Sequence, residues 1–234
     1  LRWYKNMIGN CSADVVSSTV PCSNKWMIGT VNSFFIGFVA TFIATTLGTL
    51  AALGLSRPHM PYKGLIMAIL ISPMIVPLII TAAGMFFFYA RINLVYSFTG
   101  IILAHVALAT PFVVITVTAT LVGFDMNMVK ASQSLGARPV RTFFKVIMPL
   151  ILPGVISGAL FAFITSFDEV VIVMFMASLD QLTIPKQMWA GIRQEISPVI
   201  LCMATCLVVL SILLLTTVEL LRRRSEKLRG ITSR

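Results

Sequence analysis

Five apolar stretches, each long enough to cross a bilayer as a helix, constrain this chain more than any other feature; they lie at about 26–55, 64–90, 99–124, 152–177 and 199–221. A hydrocarbon core of ~30 Å needs ~20 helical residues at ~1.5 Å each. The apolar residues come in blocks rather than in alternating ten-residue runs, so helices fit and an outer-membrane barrel does not. Composition agrees: 58% of residues belong to the apolar set and only 11% are charged, against ~45–50% and ~25% in soluble domains. An ordinary soluble globule, a disordered chain and a disulfide-dense secreted module are excluded. The expected fold is an all-α polytopic membrane bundle.

The cations then orient it. Twelve of the eighteen Lys and Arg residues fall near 56–63, 125–150 and 222–234: Arg57, Lys63, Lys130, Arg138, Arg141, Lys145, Arg222, Arg223, Arg224, Lys227, Arg229 and Arg234. Arg2, Lys5, Lys25, Arg91, Lys186 and Arg193 fall on the opposite side. The positive-inside rule places the richer segments, and the C-terminus, in the cytoplasm. The net charge of +10 therefore reads as topology and attraction to anionic lipid, not as a nucleic-acid surface. Residues 1–25 become an extracytoplasmic segment, 26–221 the membrane domain and 222–234 a basic cytoplasmic tail. The chain starts at Leu1 without a signal-peptide layout. A further span upstream is expected.

Prolines interrupt two of the stretches. Ser72-Pro73 and Pro77 predict a kink or break in the second, and Thr110-Pro111 a kink in the third. Unpaired backbone is not tolerated against lipid, so such breaks face protein or a water-filled path. They serve either packing or permeation.

The segment 125–150 is longer than a connector requires. Asp125 suits an N-cap for a short helix over 126–135, and Gly136 suits its stop. Pro139 fits the first turn of a second helix. There Val140, Phe143, Phe144 and Ile147 share one face and Arg141 and Lys145 another. Such a helix lays its apolar side on the bundle or in a partner's groove.

The residues of this segment carry a resemblance. Lys130-Ala131-Ser132, three residues, Gly136-Ala137, then Val146-Ile147-Met148-Pro149 resembles the EAA loop of bacterial ABC importer permeases: Glu-Ala-Ala, three residues, Gly, nine residues, Ile, any residue, Leu-Pro. Ala131, Gly136 and Pro149 match in type and spacing; Lys130 and Ser132 depart from it. Ser166-Phe-Asp-Glu-Val170, Leu182-Thr-Ile-Pro-Lys-Gln-Met-Trp189, Thr46-Leu-Gly-Thr-Leu-Ala-Ala52 and Ser72-Pro73 look like the spermidine/putrescine-type permeases. The resemblance implies a type I permease fold of six spans in the bacterial inner membrane, one of them absent here. It implies coupling to cytoplasmic ATP-binding subunits through Lys130, Ala131, Ser132, Leu135, Gly136, Ala137, Pro139, Phe143 and Pro149. It also implies a second, different permease chain and an extracytoplasmic substrate-binding protein. No cofactor or metal is called for, and no phosphate-binding loop is present, so ATP hydrolysis belongs to a partner. A polyamine or similar small cation is the expected cargo; iron, an anion, an opine or an amino acid are alternatives within the class, and a secondary carrier an alternative outside it.

Asp168 and Glu169 fall inside the fourth stretch. An acid at the bilayer centre costs ~2.5–3.5 kcal/mol on insertion scales, so neither faces lipid. With Ser166 they are candidates for the cargo path or gate; the alternative is a buried hydrogen-bonded acid that holds packing. Phe86–Tyr89 read as an interfacial belt. Residues 178–198 read as an interfacial helix that can dock a binding protein. Cys202 and Cys206 share a helix face and His105 lies in the third stretch, but a fourth metal ligand is not evident. Cys11 and Cys22, placed outside, can be bridged; their spacing does not decide it.

Overall fold

The computed structural model describes residues 2–7, 24–57, 60–122, 127–194 and 198–228. The helices are α1 (Arg2–Met7), α2 (Lys25–Leu55), α3 (Lys63–Ile75), α4 (Leu78–Arg91), α5 (Phe98–Val122), α6 (Asn127–Ser134), α7 (Pro139–Thr142), a π-helical turn (Phe143–Ile147), α8 (Met148–Phe167), α9 (Val171–Met176), α10 (Ile184–Gln194) and α11 (Pro198–Leu228). Residues Thr30–Lys186 form one compact unit; the described parts of 1–29 and 187–234 form another. Asp125, Cys11, Cys22 and residues 229–234 lie outside the described residues, as do the N-cap and the bridge expected there.

In the unit Thr30–Lys186, α5 is the central element. Ile101, Ala104, His105, Val113 and Val117 are fully buried along it. It lies closest to α8, where Gly154 and Gly158 leave room for Thr120, Thr116 and Val113. Small residues at such a seam are what membrane helices use to approach closely. On α2, Ile36, Ala40 and Ala44 recur every fourth residue and are buried. Gly48 admits Val113, and Gly37 sits 3.1 Å (from an ideal Cβ) from the Phe163 ring. Phe34, Phe38, Phe163 and Phe167 complete this contact, with ring centroids 5.1–5.4 Å apart between Phe38 and Phe163, Phe34 and Phe167, and Phe163 and Phe167. Aromatic pairs at that separation add to simple burial.

The second stretch is broken outright. α3 and α4 meet at 103°. Pro73 cannot serve the carbonyl of Ile69, and the Ser72 hydroxyl takes it instead at 2.8 Å. The Val76 N–H still reaches the Ser72 carbonyl at 3.1 Å. Pro77 then has no N–H for Pro73, and its own carbonyl starts α4 by accepting from Ile80 and Thr81 at 2.9 and 3.2 Å. Pro111, by contrast, sits within α5 without ending it.

The fourth stretch differs from expectation in register. The helical run begins at Pro139 and ends at Phe167, 29 residues in all, instead of occupying 152–177. The chain then leaves the helix over Asp168–Val170 and starts again as α9. The second helix of the long loop and the fourth span are thus one continuous rod.

In the other unit, α10 and α11 close on each other where Gly191 offers no Cβ against Ile200, whose Cδ1 would stand 2.7 Å away. Arg193 lies over the Trp189 ring, 5.1 Å from its centroid. Cys202 is buried and Cys206 half-buried on α11.

Candidate functional site

The loop between α5 and α8 is an elbow. α6 ends in a Schellman turn: Gly136 has φ 78°, its N–H reaches the Gln133 carbonyl at 2.9 Å, and the Ala137 N–H reaches Ser132 at 3.1 Å. A positive φ favours glycine, which accounts for Gly136 in the motif. Pro139 opens α7 at its first turn, as expected. Lys130 and Ala131 are exposed on α6, and Pro149 lies just beyond the π turn. That turn carries the i+5 bond from the Met148 N–H to the Phe143 carbonyl. A wider turn just before Pro149 relieves the clash its ring would make with the carbonyl of Lys145.

The π turn also corrects the expected apolar face. Phe143 and Ile147 are half-buried, whereas Val140 and Phe144 are 69% and 61% exposed. One extra residue per turn rotates the face, so the four residues no longer align. Leu135, at the bend, is 89% exposed. The elbow therefore presents Leu135, Val140 and Phe144 beside Lys130, Arg138, Arg141 and Lys145, with no acid over 127–150.

The acids are separated by their surroundings, not by helix geometry. They lie in the gap between α8 and α9 rather than within a span. Asp168 is exposed. Glu169 is buried, and its Oε1 accepts the Ile172 N–H at 2.9 Å. It caps the restarted helix, because the first N–H groups of α9 have no partner of their own. Glu169→Ala is expected to cost ~1 kcal/mol, as a lost cap does, and to lower the melting temperature of the purified chain. Glu169→Gln, which keeps the acceptor, is expected to lose less.

Ser166 is buried and its Oγ lies 2.8 Å from His105 Nδ1. This pair fastens α8 to α5 across 61 residues of sequence. No hydropathy pattern could have signalled it. His105 Nε2 is buried without a hydrogen-bond partner among the described residues. The segment after α9 is held as firmly. Asn32 Nδ2 donates to the carbonyls of Asp180 and Leu182, both at 2.9 Å. The Ile184 N–H donates to Ser33 Oγ at 2.8 Å, and Lys186 Nζ to the Ala177 carbonyl at 2.9 Å. Partial burial draws the Lys186 ammonium below its ordinary range.

The family model for the binding-protein-dependent transport system inner membrane component matches residues 44–227, from the first long span to the end of the last. The chain belongs to this family. Among curated relatives, the spermidine/putrescine transport system permease protein PotC of Haemophilus influenzae is 31% identical over 225 residues, 96% of this chain and 82% of that one. The putrescine transport system permease protein PotI of Escherichia coli is 28% identical, covering 87% and 70%. Two chains of the MetNI methionine ABC transporter in inward facing conformations share the fold. Their TM-scores are 0.60 and 0.64, at 21% identity, and they cover 88% and 92% of this chain. A binding-protein-dependent inner membrane component is a multi-pass membrane protein, and the helices described here have the required length and hydropathy. The matched residues include the elbow, the α3–α4 break and both acids.

Proposed function

We propose that this chain is the membrane-spanning permease subunit of an ATP-driven polyamine importer, carrying no catalytic site of its own. Cytoplasmic ATP-binding subunits grip the elbow, a second permease chain completes the path, and an extracytoplasmic binding protein delivers spermidine or putrescine. The elbow carries this reading. An exposed apolar triad, Leu135, Val140 and Phe144, stands on a rod that continues as a span. Outside a membrane, exposed apolar residues in a cluster mark a docking surface. The cargo is supported by the names of the relatives. In this orientation residues 1–25 lie outside, 26–221 form the membrane domain and 222–234 the cytoplasmic tail.

The broken second span supports the placement of the path. α3 has no buried residue and α4 buries Ala82, so this chain leaves the break largely uncovered. Against lipid its orphaned carbonyls would go unpaired. The second permease and the water-filled path between the two chains supply the missing surroundings. Closure of the ATPases moves the elbow, and the elbow tilts the rod, so that the path opens alternately to either side.

Leu135→Cys in intact vesicles is expected to cross-link to a nucleotide-binding subunit; reproducible absence of that product would overturn the reading. Asp168 is the exposed acid of the pair and suits an ammonium on the route. Asp168→Asn is expected to lower uptake of radiolabelled spermidine by about tenfold, the equivalent of ~1.4 kcal/mol, while the complex still assembles. Uptake at the original rate would remove Asp168 from the path.

A further inference from the structure

Two very short helices meet at the elbow. α6 has eight residues and none is buried, and α7 has four. Isolated helices of that length are marginal, so something else must fix the angle between the arms. Ser132 Oγ donates to the Val129 carbonyl at 2.8 Å and lies 3.0 Å from Thr142 Oγ1. The single Ser132 proton is committed to Val129, so Thr142 is the donor of the second bond. Thr142 is 2% exposed, although Val140, Arg141 and Phe144 around it are exposed.

We infer that the hydroxyl chain from Thr142 through Ser132 to Val129 is the brace that makes the elbow one rigid lever, with Thr142 the positioning residue for energy coupling. The position helps to explain why. Thr142 is the last residue before the π turn, and the rod runs from there without a break to Phe167. Motion imposed on α6 enters the span through this bond. A buried hydroxyl that loses its partner is left unsatisfied, so the joint has one favoured geometry. The grip and the brace are separate: Leu135, Val140 and Phe144 are available to a partner, while Thr142 is not. Ser132, which departs from the Ala of the EAA pattern, is the residue that makes the brace possible. An alanine there has no oxygen to accept from Thr142.

The experiment rests on the reading of the elbow as the ATPase receiver, and it is arranged so that the two can fail separately. The full importer is reconstituted in proteoliposomes with radiolabelled spermidine, and uptake per ATP hydrolysed is measured along with the Leu135→Cys cross-link. Thr142→Val preserves shape and removes the hydroxyl. It is expected to keep the cross-link and to lower uptake per ATP about fivefold or more, the scale of one lost hydrogen bond. Thr142→Ser restores the ratio, and adding Ser132→Ala to Thr142→Val lowers it no further. An unchanged ratio, a serine as poor as valine, or parallel loss of cross-link, hydrolysis and uptake would each overturn the brace. A wild-type complex without cross-link or spermidine uptake would instead overturn the functional reading on which the brace depends.

Discussion

Gly158→Leu is expected to yield little or no folded protein. An added Cβ would stand 2.5 Å from Thr116 Oγ1 and 3.0 Å from the Val113 Cα. Neither neighbour can give way cheaply. The Thr116 hydroxyl is held to the Phe112 carbonyl at 2.9 Å and Val113 at 3.1 Å, and the Val113 contact is backbone in the centre of α5. Overpacking usually costs ~1–3 kcal/mol. Here the remaining leucine atoms add to a clash that begins at the first carbon, and α5 and α8 must separate along their seam. Membrane helices depend on such close approach because lipid gives them little hydrophobic drive to associate. The yield of monodisperse protein in mild detergent, with its melting temperature, measures the effect. Gly54→Ala, where nothing lies within 4 Å, is the matched control and is expected to behave as the parent chain. A leucine variant of normal yield and melting temperature would mean that the α5–α8 seam is not the structural centre.

Much of this architecture is legible in the residues because one physical demand dominates them. A helix must hide its backbone from lipid, so the spans announce themselves as apolar blocks, and Gly136 and Pro139 punctuate the elbow by local rules. The errors lie where local rules run out. The fourth span was misplaced because hydropathy stays high through 152–177, whereas the helix stops where Glu169 can cap a new one. The preceding loop helix looked separate because a run of polar and basic residues hid its continuity with the span. The apolar face of 140–147 was misaligned because a π turn has no hydropathy signature. The two acids looked alike as neighbours, yet one is buried as a cap and the other exposed. The bonds His105–Ser166 and Asn32–Leu182 join residues 61 and 150 positions apart. Such pairs come from tertiary packing, which a single sequence does not display.

Gly136→Val is the second large effect, and it is expected to fall on transport rather than on folding. Nothing lies within 4 Å of a Cβ at this position, but its φ of 78° belongs to the left-handed region. An L-residue there costs ~1–2 kcal/mol, and a β-branched one fits worst. The Schellman bonds from Gly136 to Gln133 and from Ala137 to Ser132 are what end α6 at the bend. α6 buries no residue that could hold it in place once the turn is strained. The arm should therefore lose its defined direction, while α5 and α8, whose packing lies elsewhere, keep theirs. Spermidine uptake by the reconstituted complex is expected to fall at least about tenfold, the equivalent of ~1.4 kcal/mol, with the Leu135→Cys cross-link reduced in parallel. The melting temperature of the isolated chain should hardly change. Gly136→Asn is expected to retain more activity than valine, because asparagine tolerates the left-handed conformation at a helix end. If valine were to support full uptake, the bend would not set the direction of the arm, and coupling would have to pass through the rod from Pro139 onward without α6.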